Sequence, residues 1–126
     1  MSVQAVSTAT HLDVPLDDVC AGALFFRQVL AVPVHLHDRD HADVDLAPGL
    51  VAHLRTTIPP GLPSGDDEPG VVIELEVPDL RGALTELRRR GADVLIDPVV
   101  TDWGTISAFI AGPDGVLIEL YCPYSA

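Results

Sequence analysis

Short runs in which apolar and polar residues alternate recur along the chain, and a period of two marks a half-buried strand. His11 to Leu16 (HLDVPL) places Leu12, Val14 and Leu16 on one face and His11, Asp13 and Pro15 on the other. Pro15 puts this strand at an edge or near its own end. Asp17 or Asp18 then caps a helix in which Val19, Ala23, Phe26 and Leu30 recur at helical spacing. Pro33 cannot continue that helix, so it ends by Val32. Pro33 to His37, Val44 to Ala47 and Leu50 to Thr56 read as strands, the last two joined at Pro48-Gly49. Asp38 to Asp43 (DRDHAD) reads as a charged turn; His35, His37 and His41, near Asp38 and Asp40, either belong to that solvated surface, the favoured reading, or hold an adventitious metal.

The second half repeats this plan. Val71 to Val77 (VVIELEV) sets Ile73, Leu75 and Val77 against Val72, Glu74 and Glu76. Asp79 caps a helix to Arg90, with Leu80, Ala83, Leu84 and Leu87 as its apolar side and Gly91 at the left-handed terminal position. Arg88, Arg89 and Arg90 fill the last turn, where cations favour the helix dipole. Val94 to Ile96, Thr105 to Ala111 and Val116 to Tyr121 follow as strands. Pro113-Asp114-Gly115 is a tight turn that makes the last two a hairpin. In its final strand Leu117, Glu119 and Tyr121 oppose Val116, Ile118 and Leu120. Each half is thus a βαβββ unit, and Gly22-Ala23-Leu24 and Gly82-Ala83-Leu84 open the two helices alike. The expected organisation is one domain over residues 1–126: a module at 10–58, a Pro- and Gly-rich linker at 59–70, and a module at 71–122.

Composition narrows the partners. Seven Lys and Arg stand against nineteen Asp and Glu, a net charge of −12. Nucleic acid and anionic membrane are poor partners for that surface. No apolar run approaches the roughly 20 residues that span a bilayer, and the expected location is the cytoplasm. Cys20 and Cys122 form no metal or redox spacing. Their cross-linking has little support in that compartment.

With helices on one side of each sheet, the other side collects the polar residues. Parity assigns to it His11 and Asp13; Val51, His53 and Arg55; Val72, Glu74 and Glu76; and Ser107, Phe109, Glu119 and Tyr121. Imidazoles and carboxylates gathered so are costly in a dry core unless paired, metal-bound or open to water, and a wet cleft suits them best. Arg55 either pairs with Glu74, Glu76 or Glu119 or grips a substrate carboxylate. Trp103, before Gly104, is a packing residue or a stacking wall for a flat ligand.

The stretches HLDVPLDDVCAGALFFRQVL, LEVPDLRGALTELRRRGADV and WGTISAFIAGPDGVLIELY resemble the vicinal oxygen chelate superfamily of glyoxalase I, bleomycin-resistance proteins and extradiol dioxygenases. The resemblance covers nearly the whole chain. It implies an α+β fold in which two βαβββ modules form a cupped, mixed-sheet half-barrel. It also implies four quasi-symmetric metal positions on the first and last strands of the modules. Here they are His11, His53, Val72 and Glu119; Val72 cannot bind a metal. His11, His53 and Glu119 suit iron(II), manganese, nickel or zinc with positions open for substrate. Such an ion would chelate adjacent oxygens of a small substrate, with Glu74 or Glu76 as general base and Arg55, Trp103, Ser107, Phe109 and Tyr121 contacting the substrate. The implied function is a metal-dependent lyase, isomerase or dioxygenase, and the implied assembly is a homodimer. The alternative is a metal-free, bleomycin-resistance-like protein that sequesters a drug or metabolite; the negative charge suits a cationic one.

Overall fold

The computed structural model describes residues 10–56 and 71–124; the linker expected at 59–70 lies outside them. The first module runs β1 (Thr10–Pro15), α1 (Val19–Gln28), β2 (Val34–Asp38), β3 (His41–Ala47) and β4 (Leu50–Arg55). The second runs β5 (Val72–Glu76), α2 (Leu80–Arg89), β6 (Val94–Val100), β7 (Thr105–Ala111) and β8 (Leu117–Pro123). Both sheets have the same order, β1-β4-β3-β2 and β5-β8-β7-β6. The first and last strands of each module pair in parallel and the others antiparallel. This is the expected α+β fold of two βαβββ modules, built on two four-stranded mixed sheets.

Local chemistry sets the element ends. Asp18 and Asp79 adopt extended backbone and accept hydrogen bonds from the Ala21 and Gly82 amides, which caps the two helices. Helix α1 stops at Gln28, short of the limit set by Pro33, and the chain turns through Ala31 at φ 56°. The Pro113-Asp114-Gly115 turn has Asp114 and Gly115 at φ 49° and 80°, the left-handed region that Asn, Asp and Gly tolerate best.

Two expectations need correction. Strand β6 is longer than Val94 to Ile96; its ladder shifts register on both sides of Ile96, and Pro98, which has no N–H to donate, lies in the second shift. The charged turn is also much shorter than Asp38 to Asp43. Only Arg39 and Asp40 form it, with Asp38 Oδ1 accepting from the Asp40 amide at 2.7 Å. His41 and Asp43 belong to β3, since Ala42, Val44 and Leu46 alternate with them and are buried.

The apolar face of each sheet packs on its helix. Val14, Val44, Leu54 and Phe26 are fully buried in the first module, as are Ile110 and Ile118 in the second, where Ile73 and Leu84 are nearly so. The buried residues of both modules belong to one hydrophobic cluster. At about 25 cal/mol per Å² this burial dominates the stabilisation. Polar links join the modules too. Asp114 Oδ2 accepts from the Asp17 and Asp18 amides at 2.9 and 3.3 Å, and Arg90 Nη1 donates to the Val29 carbonyl at 3.2 Å. Arg88 pairs with Asp97, and Arg89 and Arg90 with Glu86, so the arginine triplet serves the fold.

Candidate functional site

The open face of the first sheet carries every histidine in the chain. His11 and Asp13 come from β1, His53 and Arg55 from β4, His41 and Asp43 from β3, and His35 and His37 from β2. Register places Asp43 between His53 on one side and His35 on the other. The outcome is a continuous row of contacts. His11 Nδ1 lies 2.7 Å from His53 Nε2, and their ring planes are nearly parallel, at 8°. His53 Nδ1 donates to Asp43 Oδ1 at 2.6 Å, and His37 Nε2 donates to Asp43 Oδ2 at 2.7 Å. His41 Nε2 stands 3.1 Å from Asp43 Oδ1, and the His35 and His37 rings are 4.5 Å apart.

Asp43 is the hub of this row. Burial pushes its pKa up, but the hydrogen bonds from His37 and His53, with the charge those rings carry when protonated, outweigh burial. They hold the carboxyl at about 2, against an ordinary 3.8. A carboxylate accepts only, so a neutral His53 keeps its proton on Nδ1 and turns a bare Nε2 toward His11. At the end of the row Arg55 Nε donates to Asp13 Oδ1 at 2.9 Å. Arg55 therefore pairs within its own sheet and not with Glu74, Glu76 or Glu119.

The open face of the second sheet has a different character. Glu119 is only 7% exposed and stands between Glu74 on β5 and Phe109 on β7. Glu74, Glu76 and Val72 are exposed, Phe109 and Tyr121 are part-buried, and Ser107 is fully buried. Hydroxyls link from the β6–β7 connection into β7: Thr101 Oγ1 to Thr105 Oγ1 at 2.8 Å, and Thr105 Oγ1 to Ser107 Oγ at 3.1 Å. Trp103 is 71% exposed, so it is no packing residue. Cys20 and Cys122 are both free thiols.

The structure thus brings His11 and His53 together and keeps Glu119 in the other sheet. Among the described residues, the metal-capable side chains whose ligand atoms all lie within 4.8 Å of one another are His37, His41 and Asp43. The sequence offers His37 and His41, with His35, Asp38 and Asp40, as an adventitious metal cluster second to a solvated turn; Asp43 is the member it misses. The signal was available in the alternation of His41, Asp43 and Asp45 with Ala42, Val44 and Leu46, which charge had disguised as a turn.

The comparisons with known proteins agree with this architecture. The profile of the Glyoxalase/Bleomycin resistance protein/Dioxygenase superfamily matches residues 8–120. The chain belongs to this superfamily. No curated protein matches significantly. Among solved structures, a glyoxalase/bleomycin resistance protein/dioxygenase from Nocardioides is similar at 22% identity and TM-score 0.75, covering 98% of this chain and 88% of its own. TioX from a Micromonospora species is similar at 17% identity and TM-score 0.77, covering 93% and 99%. TnmS3, an antibiotic-binding protein from a Streptomyces species, is similar at 22% identity and TM-score 0.73, covering 96% and 99%. At these identities the likeness carries the fold and not the chemistry. Among the described residues, no helix is long and apolar enough to cross a membrane.

Proposed function

We propose that the chain is a metal-dependent enzyme of the superfamily, a lyase, isomerase or dioxygenase acting on a small oxygenated substrate. The observation that carries this reading is the approach of His11 and His53, whose facing nitrogens stand 2.7 Å apart with Asp43 behind His53. Two imidazoles, one of them oriented by a carboxylate, form the donor pair that a catalytic divalent ion needs. They fit such an ion at two of the superfamily's four positions. Glu119 is the third donor in this reading, reached from the second sheet, and Val72 leaves the fourth place to substrate or water. The ion, iron, manganese, nickel or zinc, would supply Lewis acidity toward adjacent substrate oxygens.

The chain's own groups do the rest in this reading. Asp43 keeps the His53 proton on Nδ1, so Nε2 stays a donor. Glu74 stands exposed beside Glu119 and Glu76 beside Tyr121, placed to take a substrate proton. Arg55 (held by Asp13), Ser107, Phe109, Tyr121 and Trp103 contact the substrate. The working unit is a homodimer; Leu95, Ile96, Val99 and Val100, exposed on β6, offer an apolar edge for it. The two free thiols suit the reducing cytoplasm, and the net charge of −12 argues against nucleic acid.

A second reading has its own support. Val72, 46% exposed, occupies one metal position, and Glu119 lies apart from both histidines. A metal-free protein that sequesters a small molecule needs neither, and TnmS3, similar in fold, is described as an antibiotic-binding protein.

Metal content by mass spectrometry, on the native chain and on His11→Ala and Glu119→Ala, separates the two. A native chain that holds one equivalent of metal more than either variant is the expected result. Equal metal in all three after incubation with iron, manganese, nickel and zinc would overturn the enzyme reading, and ligand binding indifferent to a chelator would then establish the second.

A further inference from the structure

A different cluster on the first sheet points to a ligand of its own. We propose that His37, His41 and Asp43 form a separate binding site for a divalent first-row transition ion at the outer strands of that sheet. It does not use His11, His53 or Glu119 as ligands. Three observations meet there. His37 on β2 and His41 and Asp43 on β3 offer ligand atoms that all lie within 4.8 Å of one another. The nitrogen–oxygen distances to Asp43 are 2.7 and 3.1 Å. The first runs from His37 Nε2 to Asp43 Oδ2 and the second from His41 Nε2 to Asp43 Oδ1; ligands about 2.1 Å from one ion stand about 3.0 Å apart when at right angles, so the carboxylate bridges the two imidazoles at a similar separation.

The second observation is His41 Nε2. It is buried and has no hydrogen-bond partner. Asp43 Oδ1 is near enough but lacks the alignment a hydrogen bond requires. A buried imidazole nitrogen left so costs free energy unless something else meets its lone pair. An ion placed between His37, His41 and Asp43 would meet it. The third observation is rigidity. His41 and Asp43 are same-face neighbours two residues apart on a paired strand, with Ala42 between them fully buried, and the Asp38–His41 pairing closes the hairpin that carries His37.

The donor set selects the ion class. Two imidazoles and one carboxylate suit zinc, nickel, cobalt or copper and not calcium or magnesium, which prefer oxygen alone. His37 and His41 remain 39% and 31% exposed, so the ion keeps water in its other positions and exchanges with solvent. Asp43 Oδ1 also holds His53 Nδ1, so an ion here would share its carboxylate with the His11–His53 pair.

The test is equilibrium dialysis against Zn²⁺ and against Co²⁺, whose visible absorption reports nitrogen ligation. It is run on His11→Ala, then on His11→Ala combined with His37→Ala or with His41→Ala. Background-level thermal melts without metal check each fold; His37 is exposed on an edge strand, so His37→Ala decides if His41→Ala does not fold. The expected result is one ion bound by His11→Ala, with affinity reduced roughly tenfold or more in the double variants, since even a partner of a ligand is worth that much. No binding by His11→Ala, or unchanged affinity in the His37 variant, would overturn the site. The loss of metal from His11→Ala relative to the native chain reports on the His11–His53 pair alone, so the two ideas fail separately.

Discussion

The two modules share strand order, pairing and helix placement, yet their open faces carry unlike chemistry. The first shows five histidines in a row around Asp43 beside a separate Arg55–Asp13 pair; the second shows a buried glutamate, a file of hydroxyls and aromatic rings. Their buried faces, by contrast, are interchangeable in kind. The fold is specified by the face that leaves water, and the other face is free to diverge. The matched glycines repeat the lesson at smaller scale. A methyl on Gly22 would lie 2.3 Å from Leu16 Cδ1, in the packed core under α1. A methyl on Gly82 would meet the Asp79 carboxylate that caps α2. The same three letters, Gly-Ala-Leu, thus answer to packing in one module and to capping in the other.

The comparison is most easily broken at those glycines. Gly22→Ala should cost about 1–3 kcal/mol in urea unfolding, as overpacking does, while Gly82→Ala should change stability by no more than about 1 kcal/mol, lost cap against gained propensity. Equal effects would mean the glycines serve one purpose. Next in size is the hub of the first face. Asp43→Ala leaves His37 and His53 without their acceptor and should cost about 1–2 kcal/mol, with Ser107→Ala on the second face costing about 1 kcal/mol or less. Calorimetry on both variants checks this, and a larger loss at Ser107 would reverse the contrast drawn here. The smallest effect belongs to Arg55→Ala. Its pair with Asp13 is partly exposed, and its removal should cost under about 1 kcal/mol. A larger loss in chemical unfolding would give that pair a structural weight its exposure argues against.

Much of this was legible in the residues. Parity along His11–Leu16 and Val71–Val77 put the right side chains on the open faces, because a strand that buries one side admits only one register. Asp79 announced the second helix start, and of the two candidates for the first, Asp17 and Asp18, the structure uses Asp18. Asp38 to Asp43 misled, because four charged residues in six resemble a solvated turn. The strand beneath them shows only once β2 and β4 pair with it. Arg55 misled too: several acids lay within its reach by parity, and the neighbour across the parallel pair, Asp13, took it.

The chain alone settles the two-module plan and the buried faces, since these follow from the periodicity of apolar residues and local turn chemistry; the superfamily was legible only through the resemblance of three stretches of sequence to its members. Which polar groups meet was decided by tertiary structure. Strand order brings His53, Asp43, His37 and His41 side by side from three strands, and leaves Glu119 in the other sheet. Lateral register is a long-range property, summed over many weak contacts, and no local pattern encodes it.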